Sequence, residues 1–334
     1  MNPLAPLALA YGGAAALRVE LYRRGWLPRA RLSGPVISVG NLSLGGSGKT
    51  PLVARVAELL RDHGLPVAVL SRGYGGRFRG TALIVSDGRA TLASAAEAGD
   101  EPAMLAAMLP GVVVAVGPKR DAVGREVEAR FGRRVHVLDD GFQHMRLARD
   151  LDLLCLDAAD ADDRTLPAGR LREFPRAAER ADLLLLTQQG EQESGNLAAL
   201  TARFGAERLF RVRRRVLGFF DLAGKEQPAP SRPFLVSAIA RPDRFEADAA
   251  ARVDKVAGQL RFRDHHFFAP GEWLRVLQSA RAAGADAVVT TAKDAVRLPA
   301  AAAEPPVLVL RIQACIDDEP RFRARLLAAT ERAA

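Results

Sequence analysis

The sequence predicts an α/β protein in which a mainly parallel β-sheet is sandwiched by helices, with a second, smaller α/β domain. Short runs rich in Val, Ile and Leu alternate with longer helix-like segments, a pattern typical of strand–helix–strand units. These runs lack polar alternation, so the strands are expected to be buried on both faces, as parallel strands are. A length of 334 residues fits about two domains.

The predicted elements follow one another along the chain in two groups. The first group has strands at 36–39, 67–70, 112–116, 135–138, 151–156 and 183–186, with helices at 52–63, 101–108 and 120–131. Segment 208–220 alternates basic and apolar residues like an exposed strand or ribbon, and a proline-containing linker follows. The second group has strands at 234–239, 287–290 and 307–310. The predicted divisions are an amino-terminal helix at 1–30, a larger α/β domain at 31–207, the ribbon and linker at 208–233, and the smaller domain at 234–334.

Composition and charge exclude several classes of protein. Charged residues make up 26% of the chain without a long polar tract, which argues against a disordered or fibrous protein. The two cysteines cannot form a disulfide framework, which favours a reducing compartment. The net charge of +9 predicts anionic partners: phosphorylated ligands, acidic lipid surfaces or nucleic acid. The basic stretch at 208–215 lacks interleaved aromatic residues, so no nucleic acid is expected.

The amino-terminal segment predicts an amphipathic helix. Its uncharged run at 3–17 is too short to span a bilayer, and positive charges follow it instead of preceding it as in a secretory signal. Two interpretations are open: the apolar stripe packs on the core of the protein, or it lies in a membrane interface. The basic cluster that follows favours an anionic membrane surface. The stripe consists of Leu7, Ala10, Ala14, Leu17 and Leu21.

A glycine-rich loop follows the first predicted strand and precedes a helix. Residues 43–50 match the Walker A pattern except that Ser43 replaces its first glycine. In such a loop backbone N–H groups contact phosphate oxygens, while Lys49 contacts the β and γ phosphates and Thr50 contributes an oxygen to Mg²⁺. The candidate phosphate-binding residues are Gly45, Gly46, Ser47, Gly48, Lys49 and Thr50.

An acidic pair ends the predicted strand at 135–138. Asp139 and Asp140 would lie at the carboxyl edge of the sheet, where ligands bind in open α/β folds. An Asp-Asp-Gly sequence alone is more typical of a turn. Together with the loop, however, the pair is predicted to bind the metal ion of a nucleotide, alongside Thr50.

Further motifs accompany the loop and the acidic pair, in the segments 38–51, 70–76, 99–102, 138–144, 166–169, 239–242, 264–265 and 290–294. Together these segments resemble the tetraacyldisaccharide 4'-kinase family, the lipid A 4'-kinases of Gram-negative bacteria. The resemblance implies a P-loop NTPase-like fold and transfer of the γ-phosphoryl group of ATP, with Mg²⁺, to the 4'-hydroxyl of a tetraacyldisaccharide 1-phosphate, forming lipid IVA. It also implies a peripheral enzyme at the cytoplasmic face of the inner membrane.

The resemblance gives catalytic roles to residues of both domains. Lys49 matches the phosphate contact, Asp100 the carboxylate that activates the sugar hydroxyl, and His265 its histidine partner. Asp100 also precedes a helix, so capping that helix is an alternative role. His265 competes with His266, and only the motif position favours His265.

Five further residues are candidates for substrate binding. Arginine fits phosphate through its forked guanidinium, although solvated surface arginines are common. Two roles are open for Tyr74: it stacks on a ligand, or it packs within its own turn. Two are open for His144 as well: it lies in the active site, or it makes a hydrogen bond between a strand and a loop. The candidates are Arg72, Tyr74, Arg120, His144 and Arg170. The alternative function is a membrane-associated P-loop ATPase that acts as a switch or assembly factor.

Overall fold

A computed structural model describes residues 3–44, 48–157, 163–187, 194–299 and 304–332. The strands in these ranges are β1 (Val36–Asn41), β2 (Val67–Ser71), β3 (Leu83–Ser86), β4 (Val113–Val116), β5 (Val135–Asp139), β6 (Leu151–Asp157), β7 (Leu183–Thr187), β8 (Leu209–Phe220), β9 (Glu226–Gln227), β10 (Phe234–Ser237), β11 (Gly258–Arg261), β12 (Val288–Thr291) and β13 (Val307–Ile316). The helices are α1 (Ala5–Arg23), α2 (Lys49–Asp62), α3 (Ala95–Ala98), α4 (Asp100–Met108), α5 (Arg120–Phe131), α6 (Ser194–Phe204), α7 (Pro242–Ala250), α8 (Pro270–Ala282), α9 (Ala292–Ala295) and α10 (Glu319–Glu331).

All thirteen strands of the described residues belong to one sheet. Its order is β11-β10-β12-β13-β8-β7-β6-β1-β5-β2-β4-β3, with β9 paired to β8. Most neighbours are parallel, and the antiparallel pairs are β3 with β4, β8 with β13 and β8 with β9. All nine predicted strands are present, although β13 runs past its predicted end at residue 310. The short strands β3 and β11, at the two edges of the sheet, were not predicted.

Strand β8 corrects the prediction of an exposed ribbon at 208–220. Its first part is parallel to β7 and its remainder is antiparallel to β13, so the strand lies inside the sheet. The basic and apolar residues alternate because Phe210 and Val212 are buried, whereas Arg211, Arg213 and Arg215 face solvent. Strand β8 therefore joins the two halves of the sheet. The division of the chain into separate domains stays a prediction.

The core of the first half lies on both faces of the sheet. On one face, helix α2 packs on β1, β2 and β5, and helix α10 packs on α2 and β13. Leu60, Phe322 and Ile37 belong to the core cluster on this face. On the other face, helix α5 contributes Val123 and Val127. This burial of both faces explains the continuous apolar runs in the sequence.

Helix α1 contacts the protein through its smallest residues. Ala8 and Gly12 are buried, and the carbonyl oxygen of Ala8 accepts a hydrogen bond from Thr165 Oγ1 at 3.0 Å. A Cβ atom at Gly12 would lie 2.4 Å from Cζ of Phe174, so this contact requires glycine. The predicted stripe does not pack on the core: Leu7 and Leu17 are 59% and 60% exposed. No helix in the described part of the chain is long and apolar enough to cross a bilayer.

Candidate active site

The phosphate loop connects β1 to α2 at the carboxyl edge of the sheet. Gly45, Gly46 and Ser47 lie outside the described residues. Gly48 adopts the left-handed conformation (φ 73°) immediately before Lys49, the first residue of α2. Lys49 Nζ donates to Oδ1 of Asn41 at 2.7 Å and to Oδ1 of Asp140 at 2.9 Å. Lys49 is therefore fixed between the end of β1 and the residue that follows β5.

The acidic pair lies directly beside Lys49, because β1 and β5 are parallel neighbours that end at the same edge. Asp139 is almost fully buried and accepts a 2.8 Å hydrogen bond from Ser71 Oγ at the end of β2. Burial raises the pKa of the Asp139 carboxyl above its usual range. Asp139 and the half-buried Thr50 line the same cavity, and both side chains carry hard oxygen donors.

Asp140 has a different environment. It adopts a left-handed conformation (φ 53°), and its second carboxylate oxygen accepts a 2.7 Å hydrogen bond from Arg172 Nη1. Burial opposes its ionisation, but Lys49 and Arg172 nevertheless hold the pKa of Asp140 below its ordinary value. Two adjacent carboxyls thus have pKa values displaced in opposite directions.

A second pair of residues crosses from α4 to the other half of the sheet. Asp100 is the first residue of α4, 4% exposed, and its Oδ2 lies 2.8 Å from Nδ1 of His265. The residue that caps α4 is Gly99, so the alternative role of Asp100 as the helix cap is wrong. Asp100 Oδ1 accepts a hydrogen bond from the N–H of Glu101 at 2.9 Å.

The backbone selects His265 over its neighbour. His265 is left-handed (φ 64°), and its N–H donates to Asp264 Oδ1 at 3.0 Å, which turns the ring toward Asp100. His266 instead lies 2.7 Å from Glu272 and stacks on Phe262. Of the two candidate histidines, His265 is therefore the one that contacts Asp100.

One cavity of about 1130 Å³ joins these groups. Lys49, Thr50, the acidic pair and the Asp100–His265 pair all line it, and Tyr11, Ala14 and Arg18 of α1 border it as well. Of the candidate substrate-binding residues, Arg72, Tyr74 and Arg120 are also in its lining. The cavity therefore extends from a phosphate loop, past a carboxylate–histidine pair, to the amino-terminal helix.

Comparison with known proteins identifies the family. The family model described as LpxK, tetraacyldisaccharide-1-P 4'-kinase, matches residues 2–331. The chain belongs to this kinase family. It is 39% identical to the tetraacyldisaccharide 4'-kinase of Desulfotalea psychrophila over 323 residues, 94% of this chain and 92% of the relative. It is 45% identical to that of Anaeromyxobacter sp. (strain Fw109-5) over 325 residues, 93% of this chain and 87% of the relative.

A solved structure agrees with the sequence matches. The crystal structure of LpxK from Aquifex aeolicus in complex with ATP superposes with a TM-score of 0.82, at 32% identity and with 98% of each chain covered. The predicted family, the P-loop-like α/β fold and the prediction of an ATP-dependent tetraacyldisaccharide 4'-kinase are thereby confirmed. The alternative of a switch or assembly ATPase is not favoured.

Two candidate residues of this kinase lie away from the described lining of the cavity. His144 points its Nε2 into the interior, and burial together with the nearby Arg120 guanidinium lowers its pKa to about 4. Arg170 forms an ion pair with Asp163 at 2.8 Å. His144 follows the acidic pair in the sequence, and Arg170 follows the motif at 166–169. Neither side chain belongs to the described lining of the cavity.

Several polar residues of the site were not predicted. Arg172 holds Asp140, and Asn41 holds Lys49 while its own amide contacts Ser43. Burial raises the pKa of Glu101, which also lines the cavity, and nearby Asp139 adds to this effect. Asn41 and Glu101 lie within motifs of the family, which was the only sequence signal for them. Arg172 lies just beyond such a motif.

Proposed function

We propose that this chain binds ATP with Mg²⁺ at the phosphate loop and transfers the γ-phosphoryl group to the 4'-hydroxyl of tetraacyldisaccharide 1-phosphate. The observation that carries the proposal is the placement of Lys49 and of the Asp100–His265 pair on one cavity. Phosphoryl transfer to an alcohol requires a cation that contacts the phosphates and a general base close to it. This cavity has a candidate for each.

The nucleotide end follows from the loop. Gly48, Lys49 and Thr50 at the start of α2 line the cavity, and Lys49 is already held by Asn41 and Asp140 at hydrogen-bond distance. A lysine fixed in this way loses little entropy when it contacts phosphate oxygens. Lys49 therefore serves as the charge that accompanies the transferred group.

The residues present fit a magnesium ion. Within the described ranges no group of three or more His, Cys, Asp or Glu side chains is arranged to hold a metal, so the chain does not supply a complete cage. Mg²⁺ in kinase sites is held by one or two carboxylates together with phosphate oxygens and water. Burial raises the pKa of Asp139, and a bound cation would keep this carboxyl ionised. Thr50 and Asp140 would complete the set of oxygen donors. When bound, the ion would neutralise negative charge on the phosphates.

The acceptor end uses Asp100. The 4'-oxygen attacks the γ-phosphorus while the bond from that phosphorus to the β–γ bridging oxygen breaks, so ADP leaves. Asp100 accepts the hydroxyl proton, and the hydrogen bond from His265 orients the carboxylate. Because Asp100 is at the amino terminus of α4 and almost fully buried, its position is well defined.

The remaining lining fits an anionic, acylated substrate. The Nε of Arg120 is buried without a hydrogen-bond partner among the described residues, and burial lowers the pKa of this arginine to about 10. Because Arg120 lines the cavity, its guanidinium would contact a substrate phosphate there. We assign Arg120, with Arg72 and Tyr74, to the sugar phosphate.

Helix α1 suits an enzyme that takes its substrate from a membrane. One side of α1 borders the cavity, while Leu7 and Leu17 are exposed on the helix. Apolar side chains beside Arg18 and Arg23 match an interfacial helix on an anionic bilayer. We place the enzyme peripherally on the cytoplasmic face of the inner membrane, where ATP is available.

A phosphate-transfer assay tests the proposal. Purified protein is incubated with γ-radiolabelled ATP, Mg²⁺ and tetraacyldisaccharide 1-phosphate in mixed micelles, and the lipid is separated by thin-layer chromatography. Label should appear in the lipid, and should be absent with an unacylated disaccharide or without acceptor. Protein that binds ATP but never labels the lipid would contradict the proposal.

A further inference from the structure

Arg180 is a charged residue close to the cavity to which no role has been given. It ends the short 3₁₀ helix Pro175–Arg180, which follows Glu173 closely in the sequence. Its Nη1 and Nη2 donate to the two carboxylate oxygens of Glu173, each at 2.7 Å. Glu173 lines the cavity with 5% of its surface exposed, whereas Arg180 does not belong to the described lining. Arg180 therefore forms a bidentate ion pair behind the wall of the cavity.

The same guanidinium contacts Phe142, which lies two positions after Asp140. Its Cζ is 3.8 Å from the centroid of the Phe142 ring, and Nη2 donates to the Phe142 carbonyl oxygen at 3.3 Å. A cation over a desolvated aromatic ring is attracted to it. Phe142 is fully buried and packs so closely on β1 that a Cβ atom at Gly40 would lie 2.6 Å from its own Cβ. Arg180 thus joins the segment after Asp140 to the segment that contains Glu173.

Arg172 makes a second connection between these two segments. Its Nη1 donates to Asp140 Oδ2 at 2.7 Å and to Gln143 Oε1 at 3.3 Å. The N–H of Arg172 also donates to the carbonyl oxygen of Leu42 at 2.7 Å, just before the phosphate loop. Arg172 and Asp140 both line the cavity, so their contact lies on its inner side and the contacts of Arg180 lie behind it.

Removal of the Arg180 guanidinium would leave a buried charge without its partner. Among the described residues, both side-chain hydrogen bonds that Glu173 accepts come from Arg180. A buried carboxylate that loses its counterion is strongly destabilised, so Glu173 would move toward water. Because Glu173 directly follows Arg172 in the chain, this movement would displace Arg172 as well. A displacement of about 1 Å in a catalytic site costs about 10²-fold in rate.

We propose that Arg180 is a positioning residue that holds Arg172 in contact with Asp140. It fixes Glu173, which adjoins Arg172, against Phe142, which lies close to Asp140. The proposal rests on the proposed function, in which Asp140 contributes to the site of the phosphates and their metal ion. Since Arg180 is not part of the described lining, it acts on the reaction through Arg172.

Two substitutions and a matched control test the proposal on the full chain. Arg180→Met keeps the length of the side chain but removes its charge and its hydrogen bonds. Arg180→Lys keeps the charge and loses the planar fork. The control is Arg203→Met, because Arg203 likewise pairs with a glutamate at 2.7 Å and lies 4.9 Å over a phenylalanine ring. Both side chains of that ion pair are exposed, and neither lines the cavity.

Crystal structures of the wild type and the variants give the first measurement, and they need no substrate. In the wild type, Arg172 Nη1 should lie within hydrogen-bond distance of Asp140 Oδ2. In Arg180→Met the side chain of Arg172 should leave Asp140, whereas Arg203→Met should keep the contact. A wild type without this contact, or an Arg180→Met protein that retains it, would overturn the proposal.

The lipid kinase assay gives the second measurement. For Arg180→Met we expect kcat to fall by about 10- to 100-fold, as is typical when a partner that orients a functional side chain is lost. The KM values for both substrates should change little, because the phosphate loop and the substrate-binding arginines are retained. Arg180→Lys should have an intermediate kcat, and Arg203→Met should match the wild type.

A double-mutant cycle separates positioning from a general loss of structure. If Arg180 acts through Arg172, Arg180→Met combined with Arg172→Met should turn over no more slowly than Arg172→Met alone. A smaller fraction of active enzyme would instead lower the rate by the same factor in either background. Losses that multiply, or a folded Arg180→Met protein with wild-type kcat, would overturn the proposal.

Two further outcomes are covered by the same set of proteins. If Arg180→Met does not fold, Arg180→Lys takes its place in the cycle. A loss that disappears in the Arg172→Met background then supports the proposal, and a wild-type kcat or a loss that persists there overturns it. If the wild type never labels the lipid, the proposed kinase function fails, and the crystal structures still decide whether Arg180 positions Arg172.

Discussion

Asp100 and His265 are 165 positions apart in sequence, yet the carboxylate of one lies 2.8 Å from the ring of the other. Asp100 begins a helix of the first half of the sheet, and His265 follows β11 in the second half. Because strand β8 joins the two halves into one sheet, the pair forms across the cavity that the halves share. We therefore expect the proposed reaction to depend on both halves.

The first prediction concerns Asp100. Asparagine has the same shape but cannot accept the hydroxyl proton, so Asp100→Asn should lower kcat by about 10²- to 10⁴-fold. ATP binding, measured by calorimetry, should stay close to that of the wild type, because Lys49 and the loop are unchanged. Asp254→Asn, which replaces an exposed carboxylate, is the matched control. Wild-type turnover by Asp100→Asn would remove Asp100 from its role as the base.

The second prediction concerns Lys49. Its ammonium is held between Asn41 and Asp140, so Lys49→Met removes a preorganised cation from the position of the transferred phosphate. We expect turnover to fall by about 10²-fold or more. Asp140 should keep its ion pair with Arg172, so the fold should survive, as circular dichroism would show. Lys225→Met, at an exposed lysine, should retain full activity, and a Lys49→Met enzyme of comparable rate would contradict the assignment.

The sequence was sufficient to predict nine strands of the sheet and the residues that follow them. Continuous apolar runs show burial on both faces, and parallel strands end at one edge, so Lys49 and the acidic pair were expected to meet. Arg172 and Lys293 were not predicted as site residues. Arg172 lies in a loop and Lys293 in the four-residue helix α9, and the positions of both depend on tertiary packing. The alternation of basic and apolar residues in β8 was interpreted as the mark of an exposed ribbon. The sequence carries no local signal that a strand pairs on both of its edges.

The third prediction concerns the exposed face of α1. Full burial of a leucine side chain stabilises by about 1.5–3 kcal/mol, so replacing both Leu7 and Leu17 by Ser should weaken binding to vesicles of anionic phospholipid by at least about tenfold. Co-sedimentation with the vesicles measures the change. In the control variant, Leu222 and Leu274 are both replaced by Ser; these leucines are 54% and 57% exposed elsewhere on the surface. The control variant should bind to the vesicles as the wild type does. Equal losses in the two double variants would argue against an interfacial role of α1.

The last prediction links the function of Asp139 to a cost in stability. Burial raises the pKa of this carboxyl in the folded chain above its unfolded value. Above the folded pKa the group is ionised in both states, and the folded state alone carries the cost of a buried charge. Asp139→Asn removes that cost and keeps an oxygen that accepts from Ser71, so at neutral pH, with chelator and without ATP, its free energy of unfolding should be higher than that of the wild type.

The sign of this difference can be checked by titration. As the pH falls through the folded pKa toward the unfolded value of about 3.9, wild-type Asp139 becomes neutral, so the advantage of Asp139→Asn should shrink and disappear. Urea denaturation of both proteins across this range measures the difference, with Asp254→Asn as the control for an exposed carboxylate. The same substitution should nearly abolish turnover, because a neutral amide is a poor partner for Mg²⁺. An Asp139→Asn protein less stable than the wild type at neutral pH would mean that the nearby cations, Lys49 and Arg120, stabilise the carboxylate by more than burial costs.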